Sequence, residues 1–542
     1  MFNYLIITAL EQLKSYKKAW DDILEQEKNT NPFIEYEWIS TWWATIGQSS
    51  NVEIYVVMED KEAIAFFPLM RKEHRCIQNL TFLADGVANY MDIVVKSENK
   101  RNVLTYLLNA LFKKEDALLL QLHGISEESA TSNILELFLV ENGFKYSFHR
   151  VVTPYLHFDK VNFQQFMHKR RKKHGVDRSE KKLERLGNVQ YYPLQSNEKS
   201  KMFGLFESRW KKKIDTSGFA STERRPFFEA LLQIQNHNFK TEVDALRFEQ
   251  EIIAFAYGFS CRGRYVAYTL GFDSDFSMFG PGRLIDRRKL LQSYEEGEKI
   301  FDFSIGYEKY KFDWHTDVTF TRTFIIAGSN KKAKRQKFLL SLVATVKEKI
   351  KQHQPFVKFK RDILGKLIYN LRSKKGWLKS IFSICLWRTW QLYELEKGTK
   401  LYEKLPFEKL ALKSLLNSQR RAEAILLSYQ GFDLYGEDGS WEFQVHKSIY
   451  RNQIWQKGFE LPSTNSVFID GWQEQDLERI CHAFNNETIY VISNMSEWKK
   501  RRALKKIGFK NVGVVHQWKF LQLEGLKNKK LLQKEGARYS IY

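Results

Sequence analysis

The sequence predicts an α/β chain, with mixed β-sheets flanked by helices. Three observations carry that expectation. Strand and helix patterns alternate along most of the length. The order read in residues 1–150 recurs in residues 151–330, without any visible repetition of the sequence itself. Finally, a strand–turn–helix followed by an acidic strand runs from Met278 to Lys311.

In the first stretch, Tyr4–Thr8 reads as a strand and Glu11–Glu27 as an amphipathic helix. Asn31 opens NPFIEYEWISTWWATIG, a helix anchored by Phe33, Trp38, Trp42 and Trp43. Val52–Met58 and Ala63–Leu69 flank Glu59-Asp60-Lys61-Glu62, a hairpin signal. Leu80–Leu83 and Met91–Val95 add strands around ADGVANY. Arg101–Phe112 is helical, Ala117–Leu122 is an apolar strand, and helix Ile134–Asn142 stops at Gly143. The second stretch starts with a basic helix, 161–186, and the strand Val189–Pro193. Helices follow around 196–213 and 223–237, then strands Ala245–Glu249, Glu251–Ser260 and Tyr265–Leu270. Gly280-Pro281-Gly282-Arg283 separates the last of these from a helix, Leu284–Glu298. Phe301–Gly306 is a short buried strand, Tyr307–Trp314 a short helix, and Thr319–Ala327 a closing strand.

Residues 331–400 read as basic, aromatic and helical, holding 19 Lys/Arg against 4 Asp/Glu. There Trp377–Tyr393 sets Leu378, Ile381, Phe382, Cys385 and Leu386 on one helical face. Residues 401–525 form another α/β module. It has strand Ser466–Asp470, helix Trp472–Phe484, strand Ile489–Ser493 and helix Ser496–Ile507, and Gly508-Phe509 leads into a hairpin, Val512–Val515 with Trp518–Leu521. Residues 526–542 are expected to be a frayed tail.

The net charge of +22 is concentrated in 331–400 and around Lys169-Arg170-Arg171-Lys172-Lys173. Localised charge points to an anionic partner: nucleic acid, anionic lipid or an acidic glycan precursor. Cys76, Cys261, Cys385 and Cys481 are far apart and show no metal spacing, which fits a reducing, cytoplasmic compartment. The N-terminal apolar run has no basic segment before it and reads as a strand rather than a signal peptide. No apolar run approaches the ~20 residues of a membrane span.

A helix N-terminus with unpaired amides is an anion site, and glycines let a ligand approach it. That makes Gly280, Gly282 and Arg283 candidate ligands for a phosphate. Group transfer beside such an anion site would need a base, an oxyanion donor and an acid for the leaving group. Glu308 can be that base or a proton relay, or simply a solvated carboxylate. Asp302, inside an apolar strand, must be paired or have a raised pKa, and is either a catalytic carboxyl or the partner of a Lys or Arg across the sheet. Tyr310 is an acid or a packed aromatic, and Lys311 a substrate contact or a structural ion pair. His315 and His482 have no partner ligands in sequence, so no metal site is expected.

Taken together, NPF…EW…WW, ADGVANYMD, the basic helix before Leu183 and GPGR…FDFSIGYEKYKFDW resemble, over residues 1–330, the CelD/BcsL-like acyltransferases. That family is related to the Fem-type tandem GNAT transferases. The resemblance implies a tandem GNAT-like fold and transfer of an acyl group, from acetyl-CoA or another acyl-CoA, to an amine or hydroxyl of a polysaccharide or envelope precursor. By position, Gly280, Gly282 and Arg283 fall where GNAT enzymes hold the pyrophosphate of acyl-CoA. Asp302 and Gly306 match the family's "DF…G", and Tyr310 and Lys311 its "YK". Lys311 matches a substrate-facing lysine of the Fem-type relatives. The longer R/Q-x-x-G-x-G/A loop of ordinary GNAT enzymes is absent. An aminoacyl-tRNA donor therefore stays open, as does a non-catalytic module held on an anionic membrane surface through 331–400. The segment from Arg501 to Leu521 looks like the closing helix and hairpin of a GNAT domain.

Overall fold

The computed structural model describes residues 2–74, 77–210, 219, 221–352, 385–396, 407–436, 440–447, 454–456, 459–461, 466–474, 477–484, 487–520 and 523–531. The chain divides into two compact units, Met1–Glu180 with Val189–Gly365, and Lys181–Asn188 with Lys366–Tyr542.

The first unit is built on one mixed sheet of thirteen strands. These are β1 (Phe2–Ile7), β2 (Asn51–Glu59), β3 (Glu62–His74), β4 (Ile77–Phe82), β5 (Val94–Val95), β6 (Leu118–Ser126), β7 (Lys145–His157), β8 (Val189–Pro193), β9 (Phe239–Phe248), β10 (Glu251–Cys261), β11 (Arg264–Phe272), β12 (Ile300–Asp302) and β13 (Asp317–Ala327). Their order is β1-β2-β3-β4-β6-β13-β7-β12-β11-β10-β9-β8, with β5 paired to β3.

The same motif occurs twice. β2, β3 and β4 form an antiparallel meander, the helix Lys100–Lys114 crosses over, and β6 returns parallel to β4. Likewise β9, β10 and β11 form a meander, the helix Pro281–Glu295 crosses over, and β12 returns parallel to β11. Antiparallel neighbours need only a tight turn, whereas a parallel neighbour requires a crossover. The corresponding hairpins turn at Asp60-Lys61 and Glu249-Gln250, all four with positive φ, the backbone that suits the right-handed strand twist. β13 does not close its own half alone. It lies between β6 and β7, so one continuous sheet joins the two motifs, and residue 150 falls inside β7.

Aromatic residues fill the junction. Trp38 meets Phe227 edge-on at 5.2 Å, and Phe33 meets Phe259 at 5.7 Å. The conspicuous NPF…EW run thus packs the first motif against the second. Such pairs add about 0.5–1.5 kcal/mol each beyond simple burial.

Several expected helices are shorter or broken. Glu11–Glu27 is two helices, Leu10–Lys14 and Lys17–Gln26. The basic helix 161–186 is Phe163–His174 and Val176–Glu184, separated by Gly175 in the left-handed region at φ 62°. Tyr307–Trp314 holds only a 3₁₀ turn, Lys309–Phe312.

The helix Lys331–Gln352 ends the described part of this unit. None of the described helices is long and apolar enough to cross a membrane.

The second unit carries an eight-stranded sheet made of β14 (Cys385–Leu395), β15 (Glu408–Lys409), β16 (Asp433–Gly436), β17 (Phe443–Lys447), β20 (Ser466–Asp470), β21 (Thr488–Asn494), β22 (Lys510–Phe520) and β23 (Leu523–Leu531). Its order is β15-β16-β17-β20-β21-β14-β22-β23, and a separate pair joins β18 (Ile454–Gln456) to β19 (Phe459–Leu461). β20 and β21 are parallel across the helix Leu477–Ala483.

Two expectations are corrected here. The amphipathic helix over Trp377–Tyr393 is not formed at 385–393, where β14 pairs with β21 on one side and β22 on the other; residues 377–384 lie outside the described ones. Likewise the hairpin expected within 512–521 is one strand, β22. Its partner β23 takes up residues 526–531 of the expected tail, and 532–542 lie outside the described residues.

Candidate active site

β11 and β12 pair in parallel only from Arg264↔Ile300 to Val266↔Asp302. β11 then continues to Phe272 while β12 stops, so the two strands part. In open α/β sheets, ligands bind where parallel strands diverge at their carboxyl ends. Here the gap holds a cavity of about 40 Å³, lined among others by Leu270, Phe303, Asp286, Lys289, Tyr310 and Lys311. The equivalent opening between β4 and β6 is plugged by the chain itself. The Met91 amide bonds to the Gly124 carbonyl at 3.1 Å, and a Cβ on Gly124 would sit 2.8 Å from the Asn89 carbonyl.

The helix Pro281–Glu295 starts at this gap. Gly280 precedes it in the left-handed region at φ 62°, and Pro281 takes its first position. The amides of Arg283 and Leu284 already bond to the Gly280 carbonyl, at 2.9 and 3.3 Å. The Gly282 amide has no acceptor among the described residues, as is usual in the first turn of a helix. A Cβ on Gly282 would lie 3.2 Å from Leu270 Cδ2, so the glycine also lets the helix sit close to β11. Arg283 is exposed and reaches Asp313 only at 3.8 Å.

Lys311 is buried. Its ammonium donates to the Ile305 carbonyl and lies 3.2 Å from the exposed Glu308 carboxylate. Gly306 makes that approach possible. It has φ 132°, and a Cβ there would be 3.1 Å from Lys311 Nζ and would collide with the Glu308 carboxylate. Tyr310 is partly exposed at the cavity.

Asp302 is fully buried, and its partners are all present. Arg264 donates to it at 3.0 and 2.8 Å, Tyr90 at 2.8 Å, and the Ser304 amide at 2.7 Å. This satisfied carboxylate ties β12 to β11 and to the loop that carries Tyr90.

Asp286 is the residue the sequence did not single out. It sits on the inward side of the helix, lines the cavity, and accepts no hydrogen bond among the described residues. Burial, reinforced by the negative charge of Asp313 and opposed by Lys311, pushes its carboxyl up to about 7. The signal in the sequence was the inward row Leu284, Ile285, Arg287, Lys289 and Leu290, which places charged side chains on the face that should be apolar. Lys289 is accounted for, since it is paired with Glu242 and, at 2.8 Å, with Asp244.

A larger cleft, about 370 Å³, opens elsewhere in the same unit. Lys28, Asp92, Lys100, Ser129, Arg264 and Thr319 are among the residues lining it. Side chains alternate across a sheet. Phe301, Phe303 and Tyr265 face the small cavity, whereas Asp302 and Arg264 face the other way, so the two openings lie on opposite faces of the sheet. Neither Lys28 nor Lys100 has a carboxylate within ion-pair distance among the described residues. No described group of three or more His, Cys, Asp or Glu side chains is placed to hold a metal ion.

Residues 169–312 match the family described as an acetyltransferase (GNAT) domain, a span that contains the second motif and the gap between β11 and β12. Fold and match together define the class of the protein as an acyltransferase. No curated protein matches the chain. Solved structures similar to it include FemX, at 12% identity over 59% of this chain and 96% of that one, with a TM-score of 0.41. A second is the C-terminal domain (DUF2156) of a putative lysylphosphatidylglycerol synthetase from Agrobacterium fabrum, at 12% identity over 61% and 96%, with a TM-score of 0.38. A third is a tandem GNAT protein from the clavulanic acid biosynthesis pathway, at 9% identity over 61% and 100%, with a TM-score of 0.38. These likenesses are too distant to argue from.

Proposed function

We propose that the chain transfers an acyl group from acyl-CoA, acetyl-CoA being the simplest, to an amine or hydroxyl of a polysaccharide or cell-envelope precursor, in the manner of the CelD/BcsL-like enzymes. The observation that carries the reading is the parting of β11 and β12 beside a helix N-terminus, within the span that matches the acetyltransferase domain. Residues 151–330 would hold the working site, because the matching gap in the first motif is plugged at Asn89–Met91.

The donor would enter on the helix face. The Gly282 amide and Arg283 would take its pyrophosphate, and Lys311 would hold a neighbouring negative charge. The polar acceptor would occupy the 370 Å³ cleft on the other face, with Lys28 and Lys100 at its rim suited to a phosphate or carboxylate. The two would meet at the gap. The acceptor's nitrogen or oxygen forms a bond to the acyl carbon, and the carbon–sulfur bond breaks. Asp286, half protonated near neutrality, would return a proton to the leaving thiolate. The acceptor's own proton would leave towards Glu308 and solvent. Asp302 positions β12 and takes no part in this chemistry.

The test is thiol release from acetyl-CoA across a panel of amino sugars and sugar phosphates. Turnover that is lost in Asp286→Asn and in Lys311→Ala, both still folded, supports the reading; turnover indifferent to both refutes the site. An aminoacyl-tRNA donor is a second reading, favoured by the single free amide at the helix start. Salt-sensitive tRNA binding without acyl-CoA binding would select it.

A further inference from the structure

The helix Lys331–Gln352 is packed the wrong way round for an ordinary surface helix. Its inward side is narrow and made of small or modest residues. Ala333 and Leu340 pack on Ile77, Leu119, Ile325 and Ala327, and Ser341 bonds to Ser147 at 2.5 Å. Burial beside Lys145 lowers the Lys337 ammonium's pKa. Five large apolar side chains of its described part point out instead. Phe338 is 65% exposed, Leu339 46%, Leu342 53%, Val343 49% and Val346 49%.

These residues form one surface. Lys331, Arg335, Phe338, Leu342 and Val346 follow one another at spacings of three and four, so they line one stripe of the helix. Lys332, Leu339 and Val343 form the adjoining row. Basic side chains therefore head the same face that becomes apolar two turns later. The whole helix holds eight Lys/Arg against a single acid, Glu348.

A contiguous exposed apolar face marks a docking surface. Its composition decides what docks. A nucleic acid would call for the charges without the row of Phe, Leu and Val. A protein core would call for the apolar row without unpaired lysines leading into it. Both together fit the boundary of an anionic bilayer, where apolar side chains enter the acyl region and Lys/Arg meet the headgroups. We propose that this face, Lys331 to Val346, binds the surface of an anionic membrane and lays the sheet of the first unit against it. The inference does not depend on the acyltransferase reading.

The experiment is co-sedimentation of the full-length protein with vesicles of phosphatidylcholine alone or of phosphatidylcholine with phosphatidylglycerol. Binding to the anionic vesicles at least tenfold above the neutral ones is expected. Leu342→Glu with Val346→Glu should remove it at every salt concentration. Lys331→Glu with Lys332→Glu and Arg335→Glu should weaken it and flatten its dependence on salt. All these positions are exposed, and circular dichroism verifies that the variants fold. Wild-type protein that stays in the supernatant with anionic vesicles overturns the proposal. So does binding that the Leu342/Val346 variant retains. A concentration-dependent dimer that this variant dissolves, without vesicle binding by the wild type, assigns the face to a second copy and equally overturns it.

Discussion

Asp313 lies close enough to Asp286 that its negative charge helps to raise the Asp286 pKa, and among the described residues Lys311 opposes it. A carboxyl without a hydrogen-bonding partner, turned into a largely apolar cavity, is costly to ionise, and such groups cluster at functional sites.

Asp286 should make the protein less stable as pH rises. Its folded pKa, about 7, lies above the unfolded value of 3.8, so the folded state holds the extra proton between them. Each tenfold change in acidity is worth about 1.4 kcal/mol, so ionising Asp286 at pH 8 costs on the order of a few kcal/mol. Asp286→Asn should therefore gain stability over the wild type between pH 4 and pH 7, with the gain level above that. Urea unfolding across this range measures it. A gain that does not change with pH would contradict the assigned titration.

Removing one partner from the Arg264–Asp302 pair leaves the other charge buried. Arg264→Ala is expected to cost about 3–5 kcal/mol. Tyr90→Phe, which deletes one of several donors to Asp302, should cost only about 1–2 kcal/mol. Unfolding midpoints should keep that order; a Tyr90→Phe as damaging as Arg264→Ala would mean that the pair is not the tie between β11 and β12.

Gly306→Ala should disturb the Lys311 pocket. The residue sits at φ 132°, and the added Cβ would meet the Glu308 carboxylate and come within 3.1 Å of Lys311 Nζ. A loss of about 1–3 kcal/mol is expected from the backbone alone. Donor affinity should fall with it, and calorimetry compares the two. Unchanged affinity would separate Lys311 from the donor.

How much of this was legible in the sequence depends on the range of the interactions. The hairpin at Asp60-Lys61 and the helix after Gly280 are set by neighbours, and both are found where expected. The alternation of strands and helices also marked out the two motifs. The position of β13 was not legible, because its partners β6 and β7 lie more than 160 residues upstream. β14 was misread for a related reason. Its apolar residues also satisfy helical spacing, and what decides for a strand is pairing with β21 and β22, about 100 residues away. At the site, the glycines and Lys311 stood out by their local pattern. Asp286 looked like an ordinary helix carboxylate until the cavity showed which way it faces. The larger cleft is assembled from separate loops and strands, and no single stretch announced it.

The central claim is that acyl-CoA binds where β11 and β12 part. Calorimetric titration of the full-length protein with acetyl-CoA tests it most directly, with Arg283→Ala and Lys311→Ala as controls. Micromolar binding that each variant weakens at least tenfold is the expected result. No binding by folded wild-type protein, or binding that both variants retain in full, would contradict it.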